Sequence, residues 1–134
     1  MIIIIGAVFA LLAALLHVFI FYMESFAWTS KRAQGVFGIT AQEAENTKEM
    51  AYNQGFYNLF LALIAGTGAV FLLNGAAGEG FSSVGVALSL AGTGSMLAAA
   101  AVLALSSPDK RAAAFKQGAF PLLAVVLILL GVLV

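Results

Sequence analysis

The chain has no cysteine, and only 9 % of its 134 residues are charged. Without thiols there are no disulfides, thiolate metal sites or cysteine nucleophiles. A soluble domain carries roughly 25 % charged residues, so a water-soluble monomer of this composition would lack the polar surface to coat its core. There is one histidine, whereas a zinc site normally wants three or four protein ligands; no metal and no cofactor are expected. The glycine-rich segments lack phosphate-loop spacing, and no basic aromatic patch argues for nucleic acid. Ser25 adjoins Glu24 but points about 100° away on a helix, so a Ser-His-acid triad is unsupported.

What the chain has in abundance is hydrophobic residues, 63 % of the total. They fall into four long runs, roughly Ile2–Tyr22, Phe56–Leu73, Phe81–Leu105 and Ala119–Val134. A helix needs about 20 apolar residues to cross a hydrocarbon core, and the runs meet or approach that length. The expected fold is therefore all-α: a single-domain, four-helix transmembrane bundle with spans near 2–28, 50–73, 81–106 and 112–134. Lys31, Arg32 and Lys48 lie between runs one and two, and Lys110, Arg111 and Lys116 between runs three and four. Cytoplasmic loops carry the excess of Lys and Arg, so both loops are expected in the cytoplasm and both termini outside. Met1 is followed at once by Ile2–Ile5 with no basic stretch, so the first run is expected to remain as a membrane helix rather than a cleaved signal peptide. With no lipidation or organelle signal visible, a bacterial inner membrane is the expected location.

Local signals refine the picture. Tyr22 and Trp28 suit the cytoplasmic interface, and Gly35 and Gly38 predict a loop after the first span. Thr40-Ala41-Gln42-Glu43 reads as a capping box, which starts the second helix near Ala41, well before its apolar part. Such a helix would be roughly 50 Å long, so a bend is expected near Gln54-Gly55. Asn74-Gly75 and Gly78-Glu79-Gly80 predict a short outer turn. The third span is rich in small residues, Gly85, Ser89, Gly92, Ser95 and Ala99, which let backbones approach in lipid; it is expected to be the central packing helix. Pro108 ends it. Gln54-Gly55-Phe56-Tyr57 and Gln117-Gly118-Ala119-Phe120 echo one another, by duplication of a helical hairpin or by chance.

Polar residues inside apolar spans are costly and face the bundle interior. Here they are His17 and Glu24 on the first span, Asn53, Gln54, Tyr57 and Asn58 on the second, and Gln117 on the fourth. With the expected topology all seven fall in the cytoplasmic half. His17, Glu24 and Trp28, at i, i+7 and i+11, share one helical stripe; Gln54 and Asn58 share a face, and Asn53 and Tyr57 the adjacent one. His17, Glu24, Trp28, Asn53, Gln54, Tyr57, Asn58 and Gln117 are therefore the candidate ligand-binding residues. Structural roles stand beside this: Glu24 solvated and paired with Lys31 or Arg32, His17 bonded to a carbonyl, the amides joining helices.

Leu16–Glu24 with Trp28, then Asn53-Gln54-Gly55-Phe56-Tyr57-Asn58, and finally Gln117-Gly118-Ala119-Phe120-Pro121 resemble the domain-of-unknown-function family numbered 1304, small four-span bacterial membrane proteins. The resemblance covers nearly the whole chain and implies no particular chemistry. Three function classes remain open. The favoured one binds or transports a small amphipathic or lipidic ligand between Glu24, His17 and the amides, with Phe19, Phe21, Phe56 and Phe60 as apolar walls. Transport by so thin a bundle would call for a homo-oligomer. A membrane-embedded enzyme using His17 or Glu24 as acid/base is the second class, and a structural helper subunit of a larger complex the third.

Overall fold

The computed structural model describes residues 1–75 and 79–133, which are helical and connecting segments with no strand among them. Helix α1 (Ile2–Ser25) closes when the Phe26 N–H bonds to the Tyr22 carbonyl. It stops three residues short of Trp28 because the chain is captured by the next cap: Ser30 Oγ accepts the Ala33 N–H at 3.1 Å. That cap opens a short helix, α2 (Lys31–Phe37), where a loop was expected. Gly35 lies inside α2. Gly38 ends it with φ of 64°, a left-handed conformation that glycine adopts without a Cβ penalty.

Helix α3 (Ala41–Leu73) begins at the expected capping box. The Glu43 N–H donates to Thr40 Oγ1 at 3.2 Å, and the Thr40 N–H donates back to Glu43 Oε2 at 2.7 Å. Helix α4 (Glu79–Ser106) takes up Glu79 and Gly80, which were expected in the outer turn; Gly78 of that turn, and Val134 of the fourth span, lie outside the described residues. A 3-10 turn at Pro108–Lys110 leads into α5 (Arg111–Leu133).

The four long helices form a square. α1 packs on α3 and α5, α4 packs on the same two, and α1 and α4 face each other across the diagonal. No helix is central, so the expectation for the third span fails: small residues line every seam. A Cβ on Gly6 would meet Ile128, one on Gly68 would fall on the Ser89 backbone, and one on Gly118 would press on Ala100. The helix is not interrupted at Gly55, and α3 runs through it as continuous helix. Gly55 instead permits a crossing, since a side chain there would fall on Ser25 Oγ and on the Phe21 carbonyl 3.0 Å away.

Composition is arranged inside out relative to a soluble bundle. The interior is Ala7, Ala10, Ala13, Ala62, Ala65, Ala69 and Ala124 with a few larger residues such as Met96 and Ile128, while Leu15, Leu63 and Val102 face outward. In water that exchange would forfeit most of the hydrophobic gain; in lipid it lets backbones close up while the large side chains meet the acyl chains. All four long helices are long and apolar enough to cross a membrane. Ile3 touches Gly131, so the two termini share one end of the bundle. The basic residues Lys31, Arg32, Lys48, Lys110, Arg111 and Lys116 gather at the other.

Candidate functional site

Two apolar clusters fill the bundle from the terminal end to its middle. The first is Ala7, Ala10, Ala69, Leu72, Ala124 and Ile128, and the second Ala13, Ala14, Ala62, Ala65 and Met96. Beyond them the seam changes character. The buried positions of α3 recur as Ala51, Gly55, Ala62, Ala65, Ala69 and Leu72, a 3–4 spacing that marks an inward stripe; Asn58 occupies the missing step. On α5 the stripe Ala114, Gly118, Pro121, Ala124 and Ile128 is flanked by Gln117. On α1 it runs through Ala10, Ala13 and Ala14 to buried His17.

These substitutions of polar for small residues border a cavity of about 450 Å³ at the basic end. Its polar lining includes His17 and Glu24 from α1, Gln54 and Asn58 from α3, and Gln117 from α5; Ala51, Ala99, Leu103 and Ala113 supply apolar wall. Trp28, Phe37 and Ile39, from the segment around α2, close over it together with Met50. Trp28 is held in place by its Nε1–H, which donates to Thr47 Oγ1 at 3.0 Å, and by Phe37, whose ring centroid is 5.0 Å away. Thr47 in turn donates to the Glu43 carbonyl at 2.6 Å. Glu43 and Lys110 stand at the mouth, within electrostatic range of one another.

Inside, Asn58 Nδ2–H donates to Glu24 Oε2 at 2.7 Å. Glu24 is half-buried, and no Lys or Arg is ion-paired with it among the described residues. The expected pairing with Lys31 or Arg32 does not form; the Arg32 guanidinium lies over the Phe19 ring instead, 5.5 Å from its centroid. His17 is bonded through Nδ1 to the Ala13 carbonyl at 2.9 Å. A carbonyl only accepts, so Nδ1 carries a proton, and Nε2 of the neutral ring is left as an acceptor. Pro121 adds one more. It has no N–H, so the Gln117 carbonyl four residues earlier lacks its usual helical donor.

Six of the eight candidate residues, His17, Glu24, Trp28, Gln54, Asn58 and Gln117, line this one cavity. Asn53 and Tyr57 do not. The α3 face that turns Gln54 and Asn58 inward turns these two outward: Asn53 donates to the Glu49 carbonyl at 3.1 Å, and Tyr57 is 65 % exposed. The stripe shared by His17 and Glu24 holds on α1, whereas Trp28 reaches the cavity from the turn beyond the helix end. The phenylalanines expected as walls lie elsewhere. Phe21, Phe56 and Phe60 belong to an aromatic ladder with Phe26 and Tyr52, its neighbouring ring centroids 5.0–6.4 Å apart.

Sequence reasoning missed Glu43, Thr47, Met50, Ala51 and Lys110, all in the lining. Stepping back from Asn58 by threes and fours gives Gln54, Ala51, Thr47 and Glu43, so the signal for the α3 members was present. A second, more open cleft of about 500 Å³ lies between the end of α1 and the start of α3, bordered by Tyr52, Glu45, Lys48 and Glu49. Glu24 and Trp28 line both spaces. No group of three or more metal-ligating side chains occurs among the described residues.

A square of four membrane-capable helices, close-packed at one end and polar-lined at the other, defines a small multi-pass bundle protein. The chain belongs to the family described as protein of unknown function (DUF1304), whose model matches residues 11–129. That match takes in every candidate residue, the whole of α3 and α4, and most of α1 and α5. No curated protein and no solved structure matches the chain.

Proposed function

We propose that this is a protein of the bacterial cytoplasmic membrane that binds a small amphipathic or lipidic molecule in the cavity, with the mouth and the six basic residues on the cytoplasmic side. The observation that carries this reading is the cavity itself. Its volume, about 450 Å³, lies within the roughly 300–1,000 Å³ of small-molecule sites. All four long helices wall it, with polar side chains on three and only Ala99 and Leu103 from α4. Such a lining suits a molecule with a polar head and an apolar body. Polar residues that served only to join helices would be bonded to each other across a dry seam; here, among the described residues of the lining, one bond joins side chains of two helices, Asn58 to Glu24, beside an open space. Passage across the membrane would require a second copy or a large rearrangement, because the alanine clusters close the bundle beyond His17.

Native mass spectrometry after gentle detergent extraction tests the reading. The wild-type chain is expected to retain a small molecule that the cavity-filling variant Ala99→Phe loses, with both variants folded by circular dichroism. Equal retention by the two, or none by either, would count against it.

A further inference from the structure

Sorting the cavity's polar groups by charge shows an imbalance. Glu24 has one oxygen engaged by Asn58 and the other without a partner among the described residues. His17 turns a bare Nε2 outward from its bond to Ala13. The Gln117 carbonyl lacks its donor because of Pro121. These are acceptors, and the Gln54 and Gln117 amides add neutral N–H donors beside them but no positive charge. Lys110 brings the lining's single ammonium, and it stands at the mouth in the field of Glu43. The mouth is thus internally balanced, while the interior holds a carboxyl group with no counter-charge among the described residues.

A carboxylate drawn out of bulk water is costly to keep without a counter-charge. Asn58 supplies a neutral hydrogen bond and no charge. Beside Glu24 stands an aromatic corner. The Trp28 N–H is committed to Thr47 and Phe37 packs against the indole, so what Trp28 still offers the cavity is its ring surface. An acidic group next to an indole face is the pairing that recognises ammonium ions.

We infer that the cavity's occupant is an organic cation, a protonated amine with an apolar body, its ammonium on the free oxygen of Glu24 and against Trp28, and its body along Ala51, Ala99 and Leu103. The inference rests on the cavity being a binding site and adds the chemical class of the ligand.

Trp28 is the chain's one tryptophan, so its fluorescence reports binding without labels at the corner shared by the cavity and the neighbouring cleft; Ala99 lines the cavity alone, so Ala99→Phe should remove the response. Purified protein would be titrated at neutral pH with hexylamine, 1-hexanol and hexanoate, which share a body and differ in the head. Hexylamine is expected to saturate the signal at a concentration at least about tenfold lower than hexanol, the scale of one charge-assisted hydrogen bond. Glu24→Gln should erase that preference for the amine over the alcohol. The wild-type ratio of amine to alcohol stands as a test even if the variant does not fold. Equal binding of all three probes would overturn the cation inference and leave the binding site standing. Tightest binding of hexanoate would overturn it in favour of Lys110. Absence of any saturable response would remove both the inference and the binding site it rests on.

Discussion

At the residue scale the bundle depends on side chains that are missing as much as on those present. A Cβ at Gly55 would fall on Ser25 Oγ, whereas one at Gly35 would meet nothing within 4 Å. Gly55→Leu is therefore expected to part α1 from α3 and to lower the melting temperature in detergent sharply. Gly35→Ala, on the surface of α2, should be neutral or stabilising by up to about 1 kcal/mol. Similar melting of the two variants would contradict the crossing described here. The bond between Asn58 and Glu24 has its own signature. Asn58→Leu leaves a half-buried carboxylate oxygen unpaired, at a cost of about 1–3 kcal/mol. Replacing both partners removes the unmet need, so the Glu24→Leu/Asn58→Leu double variant should recover most of that loss in a detergent unfolding cycle. An Asn58→Leu variant as stable as the wild type would mean that the bond contributes nothing.

At the scale of elements, the capping box and the small-residue seams make separate predictions. Thr40→Ala removes the acceptor for the Glu43 N–H and should cost about 1 kcal/mol locally. Hydrogen exchange would show it as faster exchange over residues 41–47, the segment that anchors Trp28 through Thr47, with the rest of α3 unchanged. A Cβ on Gly92 would lie 2.6 Å from the Ala65 nitrogen, and one on Gly131 would lie 2.7 Å from Ile3 Cβ. Gly92→Leu and Gly131→Leu should thus both lower the melting temperature in detergent, by separating different helix pairs.

Legibility in the sequence follows the range of the interactions involved. The four spans and the Thr40 cap depend on composition and on neighbours within four residues, and both are visible in the letters. Helical angle separates Gln54 and Asn58 from Asn53 and Tyr57, but which pair turns inward is set by the packing of the small-residue stripe through Ala51, Gly55 and Ala62. By contrast α2 was concealed because a seven-residue helix carries too little periodicity to read, though Ser30 and Gly38 mark its ends. The role of Gly55 depends on Ser25, thirty residues away in sequence, and the cavity's apolar wall depends on how α4 rotates. Nothing local sets either one.

At the scale of the whole molecule, three features converge on one end of the bundle: the basic residues, the polar side chains and the open volume. The opposite end is closed by alanine, glycine and a few larger residues. On the proposed orientation the cavity opens to water on the cytoplasmic side, and the lipid-facing surface at the same depth does not. The chain's lack of cysteine makes that claim directly measurable. Leu103 lines the cavity, while Val102, its neighbour at the same depth, is 65 % exposed on the outer face. Single Leu103→Cys and Val102→Cys variants would be exposed to a membrane-impermeant cationic thiosulfonate in inside-out and right-side-out vesicles. The account predicts that only the cysteine at position 103 reacts, and only in inside-out vesicles. Reaction from the other side, or equal protection of both positions, would contradict it.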